Sequence, residues 1–294
     1  MNAETTRLKL LFIINPGAGN GTVDYKEEIS NYFSELPHEF QLYELPDNCK
    51  EDQIRQVIKK SGADRVIAVG GDGTLKLIAQ CQLNTTLPIG IIPGGSANGM
   101  AKELGISMDV KEALDTAVNG LPKKIHVVMV NNELCIHLSD IGFNAYVIKK
   151  FDDLPQRGMW AYAKAAWHAL WHHHKMEVTF KIDGKRIRSE AAMVVIANAT
   201  MYGTGVKINP EGKLDDSVFE VILVKKYSVL EILKIRFTNI PFNPEKIELF
   251  KTESLIINSR HKTHFQVDGE YIGKVNTINA HILTDAISII VGPQ

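Results

Sequence analysis

The chain has 294 residues, enough for two domains, and its 45% hydrophobic and 23% charged content is that of a soluble globular protein with a sizeable core. A formal net charge of -1 excludes the broad positive field of a nucleic-acid binder, so contact with an anionic surface falls to local basic patches such as Lys149-Lys150, residues 181–188 or Lys225-Lys226. The scattered cysteines Cys49, Cys81 and Cys135 exclude a disulfide framework and fit a reducing, cytoplasmic compartment. No apolar run reaches membrane-spanning length, so the expected protein is soluble and at most peripheral to a membrane.

Residues 8–14 form a continuous apolar run ending in Asn15-Pro16-Gly17, the pattern of a buried strand feeding a tight turn. Ile29, Phe33 and Leu36 then share a helical face, and residues 40–45 alternate as a strand. Ile54, Val57 and Ile58 return to helical spacing, and residues 65–69 make another short buried strand. A helix over 74–81, a strand over 89–92 and helices over 96–104 and 109–118 follow, the last with Asp109 as its N-cap. This alternation predicts a mostly parallel sheet covered by helices, with binding loops at the strand C-termini.

After Gly120-Leu121-Pro122 the rhythm changes. Strands are expected at 125–130, 134–139, 176–182, 191–197, 219–224, 247–257, 264–267, 278–283 and 286–291, interrupted by helices near 157–172 and 229–237. The reading is an α/β domain over residues 1–122 and an antiparallel β-rich domain over 123–294.

The sharpest chemical signal is Gly70-Gly71-Asp72-Gly73-Thr74, between a buried strand and a helix. Glycines there let the backbone approach a ligand and adopt positive φ, aiming N–H groups at an anion. The helix N-terminus adds its dipole, and Thr74 can cap it. Asp72 would repel phosphate unless a cation lay between them, which points to Mg²⁺. Two more glycine turns follow successive strands: Asn15-Pro16-Gly17-Ala18-Gly19 and Pro93-Gly94-Gly95-Ser96-Ala97-Asn98. In a parallel sheet all three emerge on one edge. The dinucleotide fingerprint fails at Thr22, and Gly212-Lys213 is followed by Leu214, so no P-loop is present.

These motifs, in this order, resemble the catalytic domain of diacylglycerol and sphingosine kinases; Asp215-Asp216 and Val267-Asp268-Gly269-Glu270 match that family further along the chain. The resemblance implies a phosphofructokinase- or NAD-kinase-like α/β domain followed by an antiparallel β-sandwich, and ATP and Mg²⁺ as cofactors. It places Asn15, Pro16, Gly19, Gly70, Gly71, Gly73, Thr74, Gly95, Ser96 and Asn98 at ATP, with Asp72 holding the catalytic Mg²⁺. It makes Glu270 the general base supported by Asp268, with Asp72 as the rival base, and it assigns a structural Mg²⁺ to Lys213, Asp216 and Val218. The implied partner is a lipid at a membrane surface, and a homodimer is left open.

Three positions depart from the family pattern: Gly99 stands where diacylglycerol kinases carry Asp, Asn144 replaces the Asp of their Gly-Phe-Asp-Ala, and Tyr146 and Val147 stand where sphingosine kinases anchor an amine. The acceptor expected is diacylglycerol, the alternatives being a sphingoid or ceramide-type lipid or a nucleotide-binding protein without catalysis. Trp160, Trp167 and Trp171 share a helical face that suits either core packing or lipid contact, and His168 and His172 lie four apart.

Overall fold

A computed structural model gives the structure of the chain and describes residues 7–21, 23–152, 175–182, 184–200, 209, 212–226, 243 and 245–293. The expected helices near 157–172 and 229–237, with all three tryptophans, His168 and His172, lie outside the described residues. The chain divides into two units, Met1–Ile125 with Asp285–Gln294, and His126–Thr284. The C-terminal residues thus belong with the first unit, although the sequence reading runs the second domain to residue 294.

In the first unit the apolar runs become parallel strands β1 (Lys9–Ile14), β3 (Arg65–Gly70) and β4 (Ile89–Pro93), with β2 (Glu39–Glu44) outermost in the order β2-β1-β3-β4. Phe12, Ile13, Ile67, Val69, Ile89 and Ile92 are fully buried, which explains why these strands read as unbroken hydrophobic runs: helices cover the sheet. Helix α1 (Tyr25–Phe33) starts where the Asp24 side chain accepts from the N–H groups of Lys26 and Glu27. Helix α2 (Glu51–Ser61) stops at Gly62, which takes φ +58°. Helix α3 is Asp72–Cys81.

Helix α4 (Gly99–Glu103) is shorter than the expected 96–104. Asn98 sits at φ +48°, and its side-chain amide bonds both the N–H and the C=O of Gly95, so residues 95–98 form a turn instead of a helical start. Helix α5 (Val110–Asn119) begins as read, the Asp109 carboxylate accepting from Glu112 N at 3.0 Å.

The second unit is antiparallel. Its strands are the latter part of β5 (Leu121–Val130), then β6 (Glu133–Cys135), β7 (Leu138–Gly142), β8 (Met176–Ile182), β9 (Lys185–Ala191), β10 (Met193–Ala197), β11 (Phe219–Val224), β12 (Ile247–Thr252), β13 (Ser254–Val267) and most of β14 (Glu270–Val291). One path runs β12-β11-β10-β7-β13; β8 also pairs β13, β9 pairs β8, and β5 pairs β6. The core is rich in Phe180, Phe219 and Phe265, each at most 1% exposed and each worth roughly 1.5–3 kcal/mol of burial.

Several expectations change here. The single strand at 134–139 is two, because the Asp268 carboxylate captures the N–H groups of Ile136, His137 and Leu138. The run at 247–257 breaks at Glu253, where Thr252 Oγ1 bonds the backbone of Ser254, and β13 then continues through 264–267. The two strands at 278–283 and 286–291 are one, β14. Strand β9 and helix α6 (Phe143–Asp152) were not anticipated.

Candidate active site

On the first unit, the turns after β1, β3 and β4 are stitched together at the C-terminal edge of the sheet. Asn15 N donates to Val69 O at 2.9 Å, Gly19 N to Gly94 O at 2.8 Å, and Gly94 N to Gly70 O at 2.8 Å. Asn15 Nδ2 donates to Thr74 Oγ1 at 3.2 Å, and Asn15 Oδ1 accepts from Gly17 N. Because β1 and β3 are neighbours while their chain order reverses across them, this edge is a topological switch point, where open α/β sheets bind ligands.

The glycines after β3 do not take the positive φ expected of them. Gly70, Gly71 and Gly73 are not among the glycines of positive φ; Gly19 is, at φ +70°. A Cβ on Gly70 would lie 2.4 Å from Thr74 Oγ1, one on Gly71 would lie 3.1 Å from Gly95 Cα, and one on Gly94 would lie 2.8 Å from Ala18 Cβ. Glycine therefore lets the loops touch one another. Gly73 and Ser96 are exposed and have no such neighbour role, so they face outward from the loop cluster. Tyr25 closes the rear, donating from its hydroxyl to Pro93 O, and burial raises its pKa.

Asp72 is the first residue of α3, whose N-cap is Gly71; Thr74, expected to cap, is instead inside the first turn. The Asp72 carboxylate accepts from Gly99 N at 2.9 Å and Met100 N at 3.1 Å, bracing the second glycine turn against the third. Pro16 is exposed beside these loops.

On the second unit, Asp268 and Gly269 form a two-residue turn between β13 and β14, at φ +50° and +85°, the left-handed pair of a tight hairpin. Asp268 Oδ1 accepts from His137 N (2.9 Å) and Leu138 N (3.1 Å), and Oδ2 from Ile136 N (3.1 Å). Three backbone donors make this carboxylate an anchor for the turn. Glu270 follows it, paired with Val267 in the ladder, with its side chain exposed.

Sequence reasoning missed the group behind this turn. Asp140, 1% exposed on β7, accepts from Gln266 Nε2 (2.5 Å), Asn144 Nδ2 (2.7 Å) and Ala145 N (2.9 Å), and Gln266 Oε1 accepts from Gly269 N at 2.8 Å. Its one sequence signal is a lone acid inside the apolar segment Leu138–Gly142.

Among the described residues, no group of three or more His, Cys, Asp and Glu side chains could hold a metal ion. Asp216 nonetheless has a buried Oδ1 with no hydrogen-bond partner among the described residues, an arrangement costly for a carboxylate and relieved by a cation. Lys213 and Val218 flank it in the segment leading into β11. The Asp216 carboxylate would suit a divalent ion whose coordination backbone oxygens and water would complete.

Residues 9–130 match the diacylglycerol kinase catalytic domain, and residues 139–291 match the YegS C-terminal NAD kinase beta sandwich-like domain. The chain belongs to this family. Its architecture is thus a diacylglycerol kinase-type α/β domain and an NAD kinase-like β-sandwich, and its catalytic domain is that of a lipid kinase. An uncharacterized protein of Synechocystis sp. is 28% identical over 286 residues, 89% of this chain and 65% of the relative, so the chain spans just under two thirds of that protein. Diacylglycerol kinase of Bacillus subtilis (strain 168) is 27% identical over 221 residues, 71% of this chain and 72% of the relative. A crystal structure of a diacylglycerol kinase from Bacillus anthracis str. Sterne shares the fold, with a TM-score of 0.75 at 19% identity over 99% of each chain. Among the described residues no helix is long and apolar enough to cross a membrane.

Proposed function

We propose that the protein transfers the γ-phosphoryl group of ATP to a lipid hydroxyl, with diacylglycerol as acceptor and phosphatidic acid as product. The observation that carries this reading is the cluster of three interlocked glycine turns at the switch point, in a chain that matches a diacylglycerol kinase catalytic domain. Asn15, Gly19, Gly71, Gly73, Thr74, Ser96 and Asn98 would contact the nucleotide, with Pro16, Gly70 and Gly95 shaping the turns. Phosphoryl transfer rests on positioning and charge neutralisation, and rigid loops that hold one another supply the first.

Asp72 would hold the catalytic Mg²⁺, which when bound neutralises phosphate charge, and Asp216, with Lys213 and Val218, would hold a separate, structural Mg²⁺. Asp72 has both oxygens on backbone donors yet keeps further lone pairs for a hydrated ion. Glu270 would take the proton from the acceptor hydroxyl. Asp268 is committed to three N–H groups and so would hold the turn instead of moving protons. The acceptor would be met at a membrane surface, by a protein that docks peripherally.

The test is ³²P transfer from ATP to a panel of diacylglycerol, sphingosine and ceramide in mixed micelles, with and without Mg²⁺. Labelled phosphatidic acid is expected, and Glu270→Gln should lower kcat well over tenfold with the fold intact. Labelling only of a sphingoid lipid would reassign the acceptor. ATP binding with no labelled lipid would favour a protein that has lost catalysis, and near-wild-type kcat in Glu270→Gln would return the base role to Asp72.

A further inference from the structure

We infer that Asp140 is a positioning residue for Glu270, acting through Gln266. This rests on the base role proposed for Glu270. Asp140 is a buried carboxylate at mid-strand in β7, directly opposite Gln266 of β13 on one side and Val195 of β10 on the other. A charge there is unfavourable for the sheet alone, since an apolar residue would fill the position without desolvating an ion. What compensates it is a set of three donors from two elements: Gln266 Nε2 on β13, and Asn144 Nδ2 and the N–H of Ala145 in the first turn of α6.

The hydrogen-bond polarity is what makes this set a relay. An ionised carboxylate only accepts, so it must face the NH₂ end of the Gln266 amide. The amide oxygen is thereby turned toward the hairpin, where it accepts from the N–H of Gly269, the residue immediately before Glu270. Asp268 fixes the same turn from its other side through Ile136, His137 and Leu138. The Glu270 backbone is therefore clamped twice, once by a carboxylate in the turn and once by a buried carboxylate acting through an amide. The same carboxylate caps α6, whose Tyr146 ring lies 5.1 Å from His264; His264 Nδ1 lies 2.9 Å from the hydroxyl of Tyr271, the neighbour of Glu270. Asp140 thus ties together the two segments that flank the proposed base.

Polarity also gives the test. Asp140→Asn keeps only one acceptor oxygen, so its NH₂ group must face either the NH₂ groups of Gln266 and Asn144 or the N–H of Ala145, and any flip of Gln266 sets a donor against Gly269 N–H. Gln266→Glu keeps the acceptor for Gly269 but opposes two carboxylates. The double variant Asp140→Asn, Gln266→Glu restores one donor, one acceptor and the original charge. With ATP, Mg²⁺ and diacylglycerol in mixed micelles, each single variant should lose about tenfold or more in kcat with KM for ATP unchanged, and the double variant should recover most of it. The Gln266→Glu single variant should also gain kcat as pH falls, because a shared proton restores the bridge; the wild type and the double variant should not. Singles with full kcat beside an inactive Glu270→Gln overturn the inference while leaving the base role intact, as does a double variant no better than its parents. A fully active Glu270→Gln removes both.

Discussion

His38 holds the start of the first strand by a hydrogen bond that only its neutral ring can make: Nδ1 accepts from Leu8 N at 3.2 Å. Burial lowers its pKa, and the Arg65 guanidinium lowers it further. A depressed base of this kind contributes stability that is present above its ordinary pKa of 6.5 and lost as pH falls through the folded value. Thermal melts of the wild type should therefore show Tm falling between about pH 7 and pH 5. His38→Asn, whose amide oxygen can accept the same N–H, should flatten that dependence; an unchanged slope would locate it elsewhere. At this scale the sequence was partly legible. The motifs single out Asp72, Asp268 and Glu270, but the partners of Asp72 lie 27 and 28 residues away and those of Asp268 some 130 away, so no local pattern reveals that both carboxylates accept from backbone donors. Asp140 escaped notice for the same reason: its meaning lies in Gln266, 126 positions on.

The interlocked loops are an element-scale device, and they change what a glycine substitution there would do. Gly71→Val would press a branched side chain against Gly95, whose own Cα approaches closely enough that a Cβ on Gly95 would lie 2.5 Å from Gly71 Cα. Overpacking of this sort typically costs about 1–3 kcal/mol, and the displaced third turn should carry Ser96 and Asn98 out of place. Calorimetry with ATP is expected to show lost affinity together with a lowered Tm; lost affinity at an unchanged Tm would mean that the side chain blocks ligand instead. Parallel strands and capped helices of the first unit were readable because continuous apolar runs and Asp caps are local signals. Strand β9 was not, because its charged sequence, read as a basic patch, is paired on β8 with most of its side chains in water. Helix α6 was hidden because its start depends on the Asp140 side chain rather than on a residue at its cap.

At the scale of the molecule, the C-terminal part of β14 completes the first unit. Ile289 pairs with Ile89 of β4, and Ile287, Ile289 and Ile290 are at most 1% exposed. Burying three such side chains stabilises by roughly 1.5–3 kcal/mol each, comparable in sum to the whole margin of a typical domain. A chain ending at Thr284 should lose the cooperative melt of the first unit and its ATP binding, measurable by circular dichroism and calorimetry; an intact melt would show the strand to be dispensable. The same arrangement bears on biosynthesis. A ribosome releases the glycine-turn segments first, yet their sheet gains the strand beside β4 only after all of the second unit has been made, so the first unit must wait, incomplete, while the second is synthesised.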